Sequence, residues 1–492
     1  MDNLIIGVSA VSDPATLLSV LFGTVVGVLI GALPGLSATM AVALLLPFTA
    51  ALDPIPAIVM LAALYCGASY GGSITAILIN SPGTPAATAT GLDGYPMAQR
   101  GEAGRALGIA TVASTIGGIL SLFVLIFAAP MLAELAFDFG PPEYFGLALF
   151  GLSMLSSISG ASMIKNLIGG LCGLLIATVG ADFTTGVERF TFGNYYLIDG
   201  IGFIPVMIGL FSVSELFVQS GNSMKERILV ASQAVKLPSM DDIRASWKTI
   251  LRGSGIGTVI GVLPAEGGTV GSLIAYSQER RLSKHPEKFG TGIIQGIAAP
   301  ESANNAATGG AMVPTLALGI PGSSTTAVLI GALLLQGIRP GPAMFTQQPT
   351  LIYSIFAAML IANILFFGLG LIGAKVFARI TLIPTGYLWT SVFIFSVVGA
   401  YSLNQSMADV WIMLCFGGVG YLLRQIGFSA APIIMGVVLG EIVENSLKQS
   451  LLIFDNNWLN FFSRPIFDGF FLLTLIGISL PLFGRLLRFV RT

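Results

Sequence analysis

The sequence predicts an all-α polytopic membrane protein, with about 11 crossings plus two re-entrant hairpins in an inverted repeat. Three observations predict it. Of 492 residues, 54% are hydrophobic and only 10% charged, where a soluble domain carries about 25% charged residues. Apolar stretches of about 20 residues recur along nearly the whole chain, each long enough to cross a ~30 Å hydrocarbon core. The same helix-breaking phrase stands twice, as GVLIGALPGLSATM at 27–40 and GTVIGVLPAEGGTV at 257–270. A mean hydropathy of +0.87 leaves few soluble folds able to hide so much apolar surface. A β-barrel would instead show ~10-residue alternating segments. The net charge of −1 offers nothing to nucleic acid. The start, MDNLIIGVSA, lacks the basic region of a secretory signal. Cys66, Cys172 and Cys415 sit in apolar surroundings without close spacing, so they read as small core residues rather than metal ligands or a disulfide frame.

Loop charge orients the chain. Basic loops hold Arg100 and Arg105; Lys165; Lys225, Arg227, Lys236, Arg244, Lys248 and Arg252; Arg280, Arg281, Lys284 and Lys288; Lys375 and Arg379; Arg424; and the tail GRLLRFVRT. Between them lie Asp53; Glu134, Asp138 and Glu143; Asp182 and Glu188; and Asp455. The basic loops are placed in the cytoplasm and the others outside. Block 251–276 is then flanked by basic loops on both sides, which one crossing cannot satisfy. At its centre stands Leu263-Pro264-Ala265-Glu266-Gly267-Gly268. Proline removes an amide hydrogen and glycine weakens a helix, so two half-helices enter and leave on one face. Such a hairpin is tolerable only where its bare backbone is buried in protein or lines a cavity. Block 17–50 breaks at Leu33-Pro34-Gly35-Leu36, with Ser37 following, and starts and ends outside.

Five crossings are expected after each hairpin, near 57–97, 105–130, 143–160, 163–180 and 199–220, then near 296–340, 350–374, 384–402, 409–423 and 428–446. An odd number inverts the second copy. The expected division is a first transmembrane repeat at 1–220, a cytoplasmic linker at 221–250, an inverted second repeat at 251–446, and an outer loop with a C-terminal helix at 447–492.

A second pair of breaks supports the repeat. LINSPGTPAATATGLDGYP (78–96) resembles ALGIPGSSTTAVLIGALLLQGIRPGP (317–342). Each lies in a block of roughly 40 residues, too long for one straight crossing at about 1.5 Å per residue, so a crossing helix unwound at Pro-Gly is expected. Four broken elements would then meet near the midplane. Half-helix N-termini carry partial positive charge and favour carboxylates. Carbonyls and Ser, Thr and Asn oxygens suit a hard cation such as Na⁺. With no clear Lys or Arg inside a spanning segment, backbone dipoles would supply most of the attraction for an anion.

The candidate substrate- and ion-binding residues are Asn80, Ser81, Pro82, Gly83, Thr84, Asn304, Asn305, Thr308, Pro321, Gly322, Ser323, Ser324, Thr325 and Thr326. The hairpin tips are Pro34, Gly35, Ser37, Pro264, Glu266, Gly267 and Gly268. Glu266 and Glu301 are candidate coupling acids, since a charge at the bilayer centre costs roughly 2.5–3.5 kcal/mol on insertion scales. The alternative for both is a carboxylate capped by a helix N-terminus. Gly35 and Leu36 stand where Glu266 aligns, so the repeats are not chemically symmetric. Gly23, Gly27 and Gly31 have the GxxxG spacing that reads as helix packing. Packing does not require Pro and a hydroxyl cluster together, so the Pro-Gly-hydroxyl breaks read as binding elements. Asn304, Asn305 and Thr308 either line the site or hydrogen-bond between helices.

Two motifs mislead. GASYG (67–71) matches an esterase pattern, but Ser69 would need a histidine, and the sole histidine, His285, lies in a basic loop. GIGTVIG (255–261) lacks the spacing and preceding strand of a nucleotide loop. No enzyme and no bound cofactor or metal is expected.

The chain resembles the large membrane subunit of the tripartite tricarboxylate transporters, the TctA family. The resemblance spans almost the whole chain and is carried by GALPGLSATMAVALLLPFT, YGGSITAILINSPGTPAATATGLDGYPMAQRGEAGRALG and AAPESANNAATGGAMVPTLALGIPGSSTTAVLIGALLLQGIRPGP. It implies a bacterial inner-membrane permease subunit taking up citrate or related carboxylates, coupled to a cation, Na⁺ first. It also implies two partners, a small multi-span membrane subunit and a periplasmic solute-binding protein. An elevator-type movement is implied by analogy with other hairpin-containing transporters. The alternatives are a proton-coupled importer of another small organic acid, an intramembrane hydrolase, and a channel or assembly subunit.

Overall fold

The computed structural model describes residues 2–158, 162–182, 185–220, 238–264, 267–380 and 385–489. Ala265 and Glu266, and most of the expected 221–250 linker, lie outside the described residues. The first half comprises α1 (Asp2–Val11), α2 (Pro14–Gly31), α3 (Ala38–Leu45), α4 (Pro54–Ile79), α5 (Thr88–Met97), α6 (Ala103–Ala136), α7 (Pro141–Ile158), α8 (Met163–Ala177), α9 (Phe203–Ile208) and α10 (Ser214–Ser220). The second comprises α11 (Met240–Val262), α12 (Gly267–Leu282), α13 (Gln295–Leu318), α14 (Ser324–Leu335), α15 (Ala343–Gln347), α16 (Pro349–Ile380), α17 (Thr385–Asn404), α18 (Met407–Gln425), α19 (Ala430–Ile453) and α20 (Pro465–Phe489). Among the described residues the only sheet is a small antiparallel pair, Gly180–Ala181 with Glu188–Arg189. Seven described helical segments are long and apolar enough to cross a membrane: Pro14–Gly31, Pro54–Ile79, Pro85–Ala136, Phe203–Ser220, Pro349–Leu371, Met407–Gln425 and Ala430–Ile453. The chain is therefore an all-α polytopic membrane protein.

Small residues set the packing. A Cβ on Gly23, Gly27 or Gly31 of α2 would stand 2.2–2.4 Å from the carbonyl oxygens of Met60, Leu64 and Ala68 on α4. Contacts on the two helices advance together, so α2 and α4 run parallel with their backbones touching. The second half repeats the arrangement. Cβ atoms on Gly253, Gly257 and Gly261 of α11 would stand 2.7, 2.1 and 2.7 Å from the oxygens of Ala299, Ala303 and Ala307 on α13. Each seam depends on glycine every fourth residue, the small-residue packing of membrane helices.

Parallel neighbours require the chain between them to return. In the second half α12 does this. Gly267 faces Gly261, Gly271 faces Gly257, and Glu279 accepts from Thr249 at 2.8 Å. The partners recede evenly from the break, so α11 and α12 form an antiparallel helical hairpin. In the first half the return is made by α3 and the turn of helix at Leu46–Ala51.

The halves meet head to tail. Cys66 pairs with Thr308, Ser69 with Asn304 and Ser73 with Glu301, so α4 and α13 run antiparallel. The ends are tied by polar clasps. Asp93 of α5 accepts from the backbone amides of Gly290, Gly292 and Ile293 and from the Tyr276 hydroxyl. Arg105 donates to Asp242 at 3.0 Å, and that guanidinium holds the Asp242 carboxyl down at about 2.

One expectation is corrected here. Cys66 is buried, but Cys172 on α8 and Cys415 on α18 are exposed. Lipid-facing and core-facing helix surfaces are equally apolar in a membrane protein, so an apolar neighbourhood in sequence does not locate a residue in the core.

Candidate functional site

Each break has its own local cause. Between α2 and α3 the chain turns through Gly35 at φ 87°, and the Ser37 hydroxyl accepts from the Met40 amide at 3.2 Å, capping α3. Helix α4 ends at Asn80, which adopts the left-handed conformation at φ 52°. Asparagine tolerates that region because its short side chain bonds locally. The equivalent terminator of α13 is Gly319, at φ 70°.

Beyond these terminators the chain does not unwind in line as expected. It folds back along the helix it has just left. The Gly83 amide donates to the Gly72 carbonyl at 3.2 Å, and a Cβ on Gly83 would stand 2.0 Å from the Gly31 oxygen. In the second half Gly322 lies against Ala311 in the same way, and its amide donates to Thr315 Oγ1 at 3.2 Å. The left-handed residue reverses the chain, and glycine three positions later lets two backbones touch. Helix α14 then restarts at a reciprocal cap, in which the Thr326 amide donates to Ser323 Oγ and the Ser323 amide to Thr326 Oγ1.

All four restarts line one cavity of about 620 Å³. Gly35, Ser37, Ala38 and Thr39 come from the start of α3; Pro82, Gly83, Thr84, Pro85 and Ala86 from the approach to α5; Gly268 and Thr269 from the start of α12; Ser323, Ser324 and Thr325 from the start of α14. Each hairpin leans on a break of the other half. Thr39 and Thr325 share a hydrogen bond of 2.8 Å, while Gly268 packs on Ala86. Asn304 also lines the cavity, and its Nδ2 donates to the Ser69 carbonyl at 3.0 Å across the α4–α13 contact. Tyr65 and Ser69 complete this wall. Thr84 Oγ1 is turned toward Gly72 of α4 and is buried without a hydrogen-bond partner among the described residues. Helix N-termini expose free amides and partial positive charge, so this convergence favours an anion.

The opposite wall is built from α10, α18 and the start of α19. It carries the charged residues of the lining, Glu215 and Arg424, joined by a salt bridge through Arg424 Nη1 and Glu215 Oε2. Arg424 lies in the final turn of a helix long and apolar enough to cross a membrane. It stands just past the expected crossing at 409–423 and adds a full positive charge to the backbone dipoles expected to attract an anion.

The other expected site residues lie behind the cavity wall. Asn80, Ser81, Pro321 and Gly322 shape the reversals, and Thr326 caps α14. Asn305 and Thr308 bond within α13, to the carbonyls of Glu301 and Asn305. Pro34, Pro264 and Gly267 form tips outside the lining, and Glu266 falls outside the described residues. Glu301 occupies a separate, fully buried cage. Its oxygens accept from Thr90 at 2.5 Å and Ser114 at 2.8 Å, with Ser73 as a third hydroxyl neighbour. Sequence reasoning missed Thr39, Tyr65, Ser69, Glu215 and Arg424 as lining residues. Only Arg424, an arginine at the end of an apolar run, carried a signal.

Residues 17–435 match the model of a family described as "Tripartite tricarboxylate transporter TctA family". The chain is 39% identical over 466 residues to an Agrobacterium vitis protein, "Uncharacterized 52.8 kDa protein in TAR-I ttuC' 3'region", covering 95% of this chain and 93% of the relative. A second A. vitis sequence, "Uncharacterized protein in TAR-II ttuC' 3'region", is 39% identical over 226 residues, covering 46% of this chain and 93% of the relative. No solved structure matches.

Proposed function

The chain belongs to the tripartite tricarboxylate transporter TctA family, and on that premise we propose that it is the large transmembrane permease subunit of a binding-protein-dependent secondary transporter. It imports tricarboxylates or related carboxylates across a bacterial inner membrane, driven by a cation gradient. Family membership implies a small membrane subunit and a periplasmic solute-binding protein as partners. The observation that carries the proposal is the meeting of four helix starts on one cavity whose described lining has a paired, net-neutral set of charged side chains. Fixed amide dipoles there attract a carboxylate with little reorganisation, the arrangement of broken helices at transporter midplanes.

Two conformational claims go with this reading. The α11–α12 pair enters and leaves the bilayer on one face, and α2–α3 does so on the other. The break-bearing helices then slide as a body against α10, α18 and α19, since the cavity lies between those two sets. Na⁺ is the first candidate for the coupling ion, held by carbonyl and hydroxyl oxygens of the breaks. Proton coupling is the second, and the Glu301 cage favours it, because a carboxyl among neutral hydroxyls can exchange a proton without a metal ion. A hydrolase is disfavoured. Ser69 donates to the Tyr65 carbonyl within α4, and His285 lies past the far end of the 16-residue α12, ~24 Å along that helix from the cavity.

Reconstituted with both partners, the protein is expected to accumulate radiolabelled citrate against its gradient when Na⁺ or protons are more concentrated outside. Internal citrate should accelerate uptake by counterflow, which a channel cannot do. Uptake indifferent to both gradients would overturn the coupling.

A further inference from the structure

We propose that Arg424 is a carboxylate-contact residue of the cavity, and that Glu215 is an internal carboxylate with which a carboxylate of the substrate exchanges. The proposal rests on the transporter reading and narrows its substrate to anions with two or more carboxylates.

The two partners are held unequally. Glu215 is anchored: its side chain is 9% exposed, and Gln219 Nε2 donates to its Oε1 at 2.7 Å. Arg424 is half free: its side chain is 52% exposed, and Nη1 is the guanidinium nitrogen that meets Glu215. A guanidinium has five N–H donors in a planar fork, suited to bidentate carboxylate binding. One nitrogen of that fork meets Glu215, about half of the side chain stays exposed, and both residues line the cavity. Arg424 is also the one basic side chain among the described lining residues.

The two walls then offer different recognition. The four helix starts present partial charges, which suit one carboxylate held close to the backbone. A second carboxylate on the same molecule projects toward α18, where only a full charge compensates for its lost hydration. Glu215 already occupies that charge, so a monocarboxylate held by the helix starts gains nothing from Arg424. The pair is also mechanically placed. Gln219 Nε2 lies 3.1 Å from the position a Cβ would take on Gly35, so the residue that pins Glu215 touches the first break.

The alternative is an ordinary ion pair bracing α10 against α18. Direct binding of radiolabelled citrate to the purified full-length protein in lipid nanodiscs separates the two, with succinate and propionate as competitors. Arg424→Gln is expected to weaken citrate and succinate on the order of 10- to 100-fold, the span of hydrogen bonds to charged groups. Propionate should compete as it does with wild type. Glu215→Gln keeps the shape of the side chain and removes the internal competitor, so citrate should bind several-fold tighter. A brace predicts the opposite for Glu215→Gln: unchanged or weaker binding with lower thermal stability. That result, or unchanged citrate affinity in Arg424→Gln, overturns the proposal and leaves carboxylate binding standing. Should Arg424→Gln not fold, Glu215→Gln decides alone. Wild-type protein that binds none of the three acids, alone or with both partner proteins present, overturns the transporter reading, and this inference with it.

Discussion

Glu301→Gln is expected to reduce gradient-driven citrate uptake by about 100-fold, the scale of a ~3 kcal/mol coupling free energy, while leaving citrate counterflow close to wild type. Glu301 sits on α13 with no exposed surface, and its neighbours Ser73, Thr90 and Ser114 come from α4, α5 and α6. Those helices belong to the opposite half. On the proposed coupling role, a carboxyl there would join the two oppositely directed halves through its charge state. Charging it without compensation is costly at membrane depth, and neutralising it by a cation or proton relieves that cost. The glutamine amide has nearly the same volume and can still bond hydroxyls, so the packing survives and the ability to change charge does not. Uptake and counterflow measured on the same proteoliposomes separate coupling from folding. Undiminished accumulation in the variant would assign Glu301 a structural role only.

Gly83→Ala is expected to cost about 3 kcal/mol, the upper end of overpacking penalties, and to abolish transport. The added Cβ would stand 2.0 Å from the Gly31 carbonyl oxygen and 3.0 Å from the Gly72 Cα. Both are backbone atoms on helices packed against each other, so neither can turn aside. Relief comes only by lifting the break away from α2 and α4, which moves Thr84 and opens the cavity wall. Gly91→Ala, eight residues on, is the control: its nearest neighbour is 3.6 Å from the new Cβ, and alanine there gains up to ~1 kcal/mol of helix propensity. Thermal unfolding in detergent should show a clear loss for the first and none for the second. Equal melting of the two variants would contradict the close backbone contact.

The elements legible in the sequence are those with local causes. Pro-Gly followed by a hydroxyl marks a helix break, so Pro82-Gly83-Thr84 and Pro321-Gly322-Ser323 could be found without structure, although of the two hydroxyls only Ser323 caps the next helix. Glycine every fourth residue marks a close seam, and Gly23, Gly27 and Gly31 indeed lie on α4. The rest depended on direction, which composition does not encode. Asn80 and Ser81 read as ligands, because an asparagine that ends a helix at positive φ looks the same in sequence as one that binds an ion. The fold-back that carries Gly83 alongside Gly72 depends on where the reversal points. Tyr65 and Ser69 are ordinary mid-helix residues until α13 is laid antiparallel beside them. Glu215 and Arg424 belong to helices that reach the cavity only through tertiary packing, and loop counting assigns the arginine to water.

The central claim is that two oppositely directed halves each carry a hairpin whose break reaches a common anion cavity. Its most direct measurement is sidedness in intact cells, using single cysteines at Asp13, Asp53, Lys248 and Lys284 with Cys66, Cys172 and Cys415 replaced by serine. All four positions are exposed and flank the two hairpins. A membrane-impermeant maleimide is expected to label 13 and 53 from outside, and 248 and 284 only after the cells are opened. Labelling that places 248 and 284, or 13 and 53, on opposite faces would contradict the account.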